Sequence, residues 1–451
     1  MDTYILSLLV IGLLLLLITL GSGWINRLPL SYALIYLVVG IFLGPGGLNL
    51  VTLRPDAAFL EHVTEFVVLI SLYSCGLKIN RPLQPWAWSS TARLIGFLMP
   101  ISIGAIALVG HWLLGLNWGA AILLGAILAP TDPVLASEVQ LSDRDDRNEL
   151  RFGLTSEGGL NDALAFPFVY FGLHWIEDNN WEHWFKNWVA VDLLWAIAAG
   201  IVMGILASKA IAWVDQQVQR FRKVDELIED FTALSTILLT YSLTEVVNGY
   251  GFLAVFVAGL VAQRSYRNPE KPLSQLKFTE RIEKLAEVGV IVLLGSLLRI
   301  EPILRFLDEA FLIAGSLIFV IRPVGAWVST LGEKYTSLVP KGSRRNFRQR
   351  FRPTTRWLLG WFGIRGVGSL YYLTYALGKG LKGDTGEMIA WITYLTVVIS
   401  VVVHGVSSTP LMKWHDESIS DILEAEAVTS EASNQSSGQT SSESSGQASG
   451  K

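Results

Sequence analysis

Residues 125–133 read Gly125-Ala126-Ile127-Leu128-Ala129-Pro130-Thr131-Asp132-Pro133. Two prolines three residues apart cannot both sit in an intact helix, because each lacks an N–H and clashes with the carbonyl four residues back. The break closes an apolar run that begins near residue 118, and it frees the carbonyls of Ala126 and Ala129. In a lipid environment each freed carbonyl costs several kcal/mol, so such a break survives only where it lines a wet or ion-occupied cavity. Asp132 is placed to balance the positive end of the following half-helix. A plain proline kink, with the carboxylate serving only local backbone, is the simpler alternative. A carboxylate at membrane depth costs roughly 2.5–3.5 kcal/mol, which argues against a decorative one.

The surroundings place this stretch in a membrane. The chain has 451 residues, of which 51% are hydrophobic and 16% charged, whereas soluble domains carry about 25% charge. Apolar blocks such as Tyr4–Leu20, Leu94–Leu114 and Ile389–Val403 are long enough to cross a hydrocarbon layer of about 30 Å. About thirteen spans are predicted, near 4–22, 31–49, 62–77, 94–113, 118–138, 152–175, 188–213, 229–247, 249–264, 285–299, 308–331, 357–378 and 388–409. Every odd-numbered connecting loop is the more basic one, from Arg27 through Arg81 and Arg93, Arg144 to Arg151, and Arg220 to Lys223, to Arg264–Lys284 and Lys341–Arg356. The positive-inside rule then puts the N-terminus outside and the C-terminus in the cytoplasm. Residues 1–413 are read as the transmembrane domain and 414–451 as a disordered cytoplasmic tail, since Ser, Gly and Gln cannot offset the entropy of ordering. Met1-Asp2-Thr3 lacks the basic start of a cleaved signal peptide. The basic 341–356 loop reads as a topological anchor or an anionic-lipid contact. Nucleic-acid binding would need a soluble face that is not in the pattern. The net charge of −4 decides nothing, and Cys75, the single cysteine, excludes an intramolecular disulfide.

A second acidic stretch follows directly: Leu154-Thr155-Ser156-Glu157-Gly158-Gly159-Leu160-Asn161-Asp162-Ala163. Glu157 and Asn161 share one helix face, and Asp162 sits about 100° further round. The two glycines allow close approach of a neighbour. Spans 5 and 6 are joined by a short loop, so Asp132 and Asp162 are expected to converge. Two carboxylates in a low dielectric cannot both stay ionised cheaply, and a proton exchangeable near neutral pH is what proton transport demands. The same oxygens suit a hard monovalent cation, so proton and cation would compete for one carboxylate. A permanently paired acidic cluster that only joins helices is the structural alternative.

Intramembrane arginines need partners. Arg322 lies in span 11 and Arg365 in span 12; Glu157 is the first candidate for Arg322, with Arg365 near the crossing. Span 12 is interrupted by Gly360, Gly363, Gly366 and Gly368. It lies seven spans after span 5, an odd offset that makes the two run oppositely, as inverted repeats meeting at a midplane site do. Spans 1–6 and 8–13 would be the repeats. Asp132, Glu157 and Asp162 against Arg322 and Arg365 leave one surplus negative charge, which predicts one-for-one electroneutral exchange. Glu65 and Glu245, near the outer ends of spans 3 and 8, and Glu138 near the inner end of span 5 are candidates for a cation-attracting funnel. His404 reads as an ordinary satisfied histidine. Most of the sixteen tryptophans fit interfacial belts. No phosphate loop, metal-ligand cluster or activated nucleophile is found, so neither an enzyme nor a cofactor is expected.

Over residues 30–410 the chain resembles the monovalent cation:proton antiporters of the sodium/proton exchanger type, particularly prokaryotic ones with an Asn-Asp pair. The resemblance rests on Thr131-Asp132-Pro133, Glu157 with Asn161-Asp162, Phe252–Gly259, Arg322-Pro323 and Gly363-Ile364-Arg365-Gly366. It implies an all-α antiporter fold of thirteen transmembrane helices, with two crossed broken helices, a dimerisation domain and a mobile six-helix core around spans 4–6 and 11–13. It further implies that Asp162 carries the cation or the proton, with Thr131 and Asp132 completing the Na⁺ site beside Asn161, and that Glu157 is a structural acid paired with a core arginine. One departure stands out: some relatives have an ion-coordinating serine where this chain has Gly158, so water or Ser156 would have to substitute. The expected activity is Na⁺ (or Li⁺)/H⁺ exchange by a homodimer in the plasma membrane, serving cation and pH homeostasis. K⁺/H⁺ exchange on the same fold is the alternative, and a non-transporting cation or pH sensor is the reading from another class.

Overall fold

The computed structural model describes residues 31–50, 58–137, 139–141, 146, 148–221, 230–266, 268, 270–331 and 353–445, with isolated positions between 5 and 20; side chains are described as far as Ser418, except that of Trp86. Span 1 and the 341–352 part of the basic loop therefore lie largely outside the described residues. Among the described residues the chain is all helix, with no strand. In order the helices are α1 (Tyr32–Leu43), α2 (Ala58–Lys78), α3 (Ser89–Leu114), α4 (Trp118–Leu128), α5 (Glu149–Leu164), α6 (Phe166–Glu177), α7 (Trp181–Phe221), α8 (Phe231–Val246), α9 (Gly251–Ser265), α10 (Glu270–Leu297), α11 (Ile300–Ser329), α12 (Pro353–Trp361), α13 (Val367–Gly378) and α14 (Gly383–Ser445). They fall on predicted spans 2 to 13. Span 6 is split at Ala165, just before Pro167, and span 12 is split into α12 and α13.

By length and composition α2, α3, α7, α11 and the part of α14 up to Ser418 can each cross a membrane. α7 and α11 expose Leu194, Leu206, Trp213, Phe311, Phe319 and Val324. A soluble protein would bury so large an apolar surface, and lipid accepts it.

Spans 4 and 11 share a local irregularity that fits the predicted repeats. α3 contains a π-helical turn at Leu94–Leu98 and α11 one at Ser316–Ile321. Each turn is followed at once by a proline, Pro100 and Pro323, at the second residue of the next helical segment. A proline cannot complete the α-helical ladder, and a widened turn accommodates the missing bond. The two helices pack together through these turns.

The polar ends sort as the charge pattern predicts. Arg81 pairs with Glu149 at 2.7 Å, Arg151 with Asp416 at 2.7 Å, and Arg93 donates to the Leu331 carbonyl at 2.9 Å. Arg264 donates to the Arg81 carbonyl. These ties bring the loops after spans 3, 5, 9, 11 and 13 to one end of the bundle. At the other end Arg305 of α11 meets Glu387 of α14 at 3.4 Å.

α14 runs to Ser445, so the backbone beyond residue 414 is helical where composition predicts a disordered tail.

Candidate functional site

The break in span 5 and the break in span 12 cross. α4 begins with the Asn117 side chain accepting from the Ala120 N–H at 2.9 Å, and it stops at Leu128. The non-helical stretches 129–132 and 362–366 then meet, with the Asp132 N–H donating to the Ile364 carbonyl at 2.8 Å. Asp132 Oδ1 accepts from the Val134 N–H at 2.7 Å, and Oδ2 accepts from the N–H of Val367, the first residue of α13. In the reverse sense, Arg365 Nε donates to the carbonyl of Leu128, the last residue of α4, at 2.6 Å. An acid therefore caps the positive start of one half-helix and a cation caps the negative end of the other. Gly366 is required at the crossing, because a Cβ there would collide with the Asp132 carboxylate.

The freed end of α12 is held by residues whose role the sequence reading missed. His404 Nε2 lies 2.8 Å from the Trp361 carbonyl, and the Ser400 hydroxyl accepts from the Arg365 N–H at 2.8 Å. Their four-residue spacing on α14 puts both on one face, but nothing in the sequence says what that face meets.

α5 carries the second half of the site. Its start is capped by Asn148, whose side chain accepts from Leu150 N–H at 2.9 Å and Arg151 N–H at 3.3 Å. Glu157 and Arg322 form a bidentate pair at 2.5 and 3.0 Å, both 2% exposed, and Arg322 also donates to the Leu359 carbonyl at 3.2 Å. Arg322 is the residue directly after the π turn of α11. One helical turn beyond Glu157, Asn161 Nδ2 donates to Thr131 Oγ1 at 2.8 Å, which ties α5 to the break in span 5.

Asp162 is different. It is 0% exposed, yet neither carboxylate oxygen makes a hydrogen bond to the protein, and Asn161 Oδ1 is equally unpartnered. The carboxylate lies over the first turn of α13, where a Cβ on Gly368 would stand 2.5 Å from Asp162 Oδ1. Tyr372, one turn further along α13, donates to the Asp162 backbone carbonyl. Asp132 and Asp162 thus converge on the same helix start, one as its cap and the other unpaired beside it. With Glu157 paired to Arg322, and Asp132 and Arg365 bound to backbone groups at the crossing, Asp162 is the one of these five without a partner.

The remaining candidates distribute unevenly. Ser156 turns to Thr91, with the hydroxyls 2.7 Å apart, so it is committed to α3. The room beside Gly159 is taken by the Phe256 ring, and that beside Gly158 by Pro133 and Gln140. Glu65 accepts from the Tyr241 hydroxyl, and Glu245 accepts from the Gly251 N–H at 2.9 Å. Both acids adjoin Tyr241, whose ring lies against Gly251, and so they lie together, next to a cluster of Phe166, Tyr170, Tyr250, Phe252 and Tyr371. Glu138 lies outside the described residues.

Crossed, charge-capped broken helices around a buried unpaired carboxylate define an ion-coupled membrane transporter. The chain belongs to the sodium/hydrogen exchanger family, whose transmembrane model matches residues 11–414; this is a family of transporters, not enzymes. It is 25% identical over 417 residues to the K(+)/H(+) antiporter NhaP of Alkalimonas amylolytica, covering 92% of this chain and 67% of that protein. It is likewise 25% identical over 388 residues to the K(+)/H(+) antiporter NhaP2 of Shewanella baltica (strain OS223), covering 85% and 62%. The chain thus spans about two thirds of the length of these relatives. Its fold matches that of the sodium proton antiporter MjNhaP1 from Methanocaldococcus jannaschii with a TM-score of 0.65 at 19% identity, over 90% of this chain and 100% of that one.

Proposed function

We propose that the protein exchanges Na⁺ or Li⁺ for H⁺, one for one and without net charge movement, by alternating access at Asp162. The observation that carries this reading is the isolation of Asp162: fully buried, without a hydrogen bond at either oxygen, and on the same helix as a Glu157 already paired with Arg322. A buried carboxylate must be neutralised, and either a proton or a monovalent cation does this, but not both together. Thr131, Asn161 and Asp132 shape the oxygen-lined setting, with Asp132 held by two backbone N–H groups. Spans 4–6 and 11–13 form the mobile core, moving against a scaffold that includes α1, α2 and α7–α10 and forms the homodimer interface. Glu65 and Glu245 draw cations to one mouth. In the plasma membrane the end bearing Arg81, Arg151 and Asp416 faces the cytoplasm, as the positive-inside rule requires.

K⁺/H⁺ exchange is the second reading, favoured by the printed activity of the two NhaP relatives. Dissipation of a pre-formed pH gradient in vesicles separates the two. The expected result is dissipation by Na⁺ or Li⁺, none with Asp162→Asn, and an apparent cation KM that rises as pH falls because protons compete. Dissipation by K⁺ alone selects the second reading. A gradient left intact by every cation identifies a sensor, and a strong response to membrane potential at zero pH gradient excludes one-for-one exchange.

A further inference from the structure

Beside the acid pair lies a buried amide that the exchange reading leaves unused. Gln140 follows the break in span 5 and is 2% exposed, yet its Nε2 has no hydrogen-bond partner. Its Oε1 accepts only from the Cys75 thiol, at 3.9 Å. The tip of the side chain is wedged against Gly158: a Cβ there would lie 3.4 Å from Gln140 Nε2 and 3.5 Å from Pro133 Cβ. Gly158 is four residues before Asp162 and three before Asn161, so all three lie along one side of α5. Three buried groups with unspent hydrogen-bonding or coordinating capacity therefore lie along this side of α5: the Gln140 amide over Gly158, Asn161 Oδ1 and the Asp162 carboxylate.

We propose that the side-chain oxygen of Gln140 is a ligand of the transported alkali cation and helps set which cation the site accepts. A half-turn about the last side-chain bond exchanges the amide oxygen and nitrogen. After that rotation Oε1 lies over Gly158, in the space that any side chain at 158 would take. The nitrogen then faces Cys75 Sγ, a weak acceptor that holds the alternative orientation only loosely. Hard cations prefer carboxylate and carbonyl oxygens, and the rotated amide adds one neutral oxygen without adding charge. Glycine at 158 is what admits the longer side chain from the opposite stretch. Ser156, committed to Thr91, does not compete for this position.

The inference rests on Asp162 being the exchange carboxylate, and the two are tested separately in the same proteoliposomes with Na⁺, Li⁺ and K⁺ as probes. Gln140→Met keeps the volume and removes the oxygen. It is expected to raise the apparent KM for Na⁺ and Li⁺ about tenfold, the loss of one ligand's worth of binding, with Vmax and the half-saturating proton concentration unchanged. Gln140→Glu keeps an oxygen in place and adds a negative charge, so it is expected to leave the cation KM no higher than the parent's. An unchanged KM in Gln140→Met, a loss of Vmax alone, or a Glu variant as impaired as the Met variant overturns the assignment and leaves the amide a packing role. Exchange that persists in Asp162→Asn overturns the carboxylate reading instead, whatever the Gln140 variants do.

Discussion

Glu157 and Asp162 lie on the same helix, five residues apart, and are buried alike at 2% and 0% exposure. Glu157 is locked in a two-bond pair with Arg322, whereas Asp162 has no partner at either oxygen. Burial therefore does not distinguish the two acids; the partner does. A carboxylate matched by a fixed guanidinium has its neutralising charge built in and joins α5 to α11. A carboxylate without one has no fixed charge to neutralise it, which is why the proposed exchange is placed at Asp162. The five-residue step explains how one helix serves both, since it turns Asp162 toward α13 while Glu157 faces α11.

The largest expected effect comes from erasing the exchangeable member. Asp162→Asn should abolish cation-dependent dissipation of a pH gradient while thermal stability stays within about 1 kcal/mol of the parent, because no ion pair is broken; a destabilised but active variant would reverse the roles given to the two acids. Next comes Glu157→Gln, which strands Arg322 in the interior and should cost about 3–5 kcal/mol, seen as a large drop in the melting temperature of the purified protein. Adding Arg322→Met to Glu157→Gln should recover much of that stability, and a double-mutant cycle measures the coupling. Smaller still is Asp132→Asn, which removes the negative charge from the start of α13 but keeps one acceptor oxygen. A stability loss of about 1 kcal/mol and a several-fold fall in exchange rate are expected. The smallest is Thr131→Ala, which breaks the tie to Asn161; about 1 kcal/mol of stability and a modest rise in cation KM should follow.

A second contrast runs between the two breaks themselves. In span 12 the chain resumes as a helix at Val367, but after the break in span 5 residues 133–137 form only turns. Pro130 and Pro133 remove two backbone donors at the break in span 5, whereas the glycines of span 12 merely permit the gap. The freed carbonyls were expected at Ala126 and Ala129; the carbonyl that Arg365 takes is that of Leu128.

Sequence alone determined the helical spans, the loops that gather at one end, the oppositely running broken helices and the acids and arginines between them. Those follow from hydrophobic length, the placement of Lys and Arg, and the chemistry of proline, all local properties of the chain. Only the tertiary structure decided the pairings: that Asp132 caps α13 rather than its own continuation alone, that His404 and Ser400 hold the interrupted span 12, that Ser156 turns away, and that Gln140 fills the room beside Gly158. Each depends on which faces of distant helices meet, a matter of packing between segments tens to hundreds of residues apart. For the same reason, the acids and arginines of the two broken spans could be listed from the sequence, but that Asp162 is the one among them without a partner emerged only from the packing.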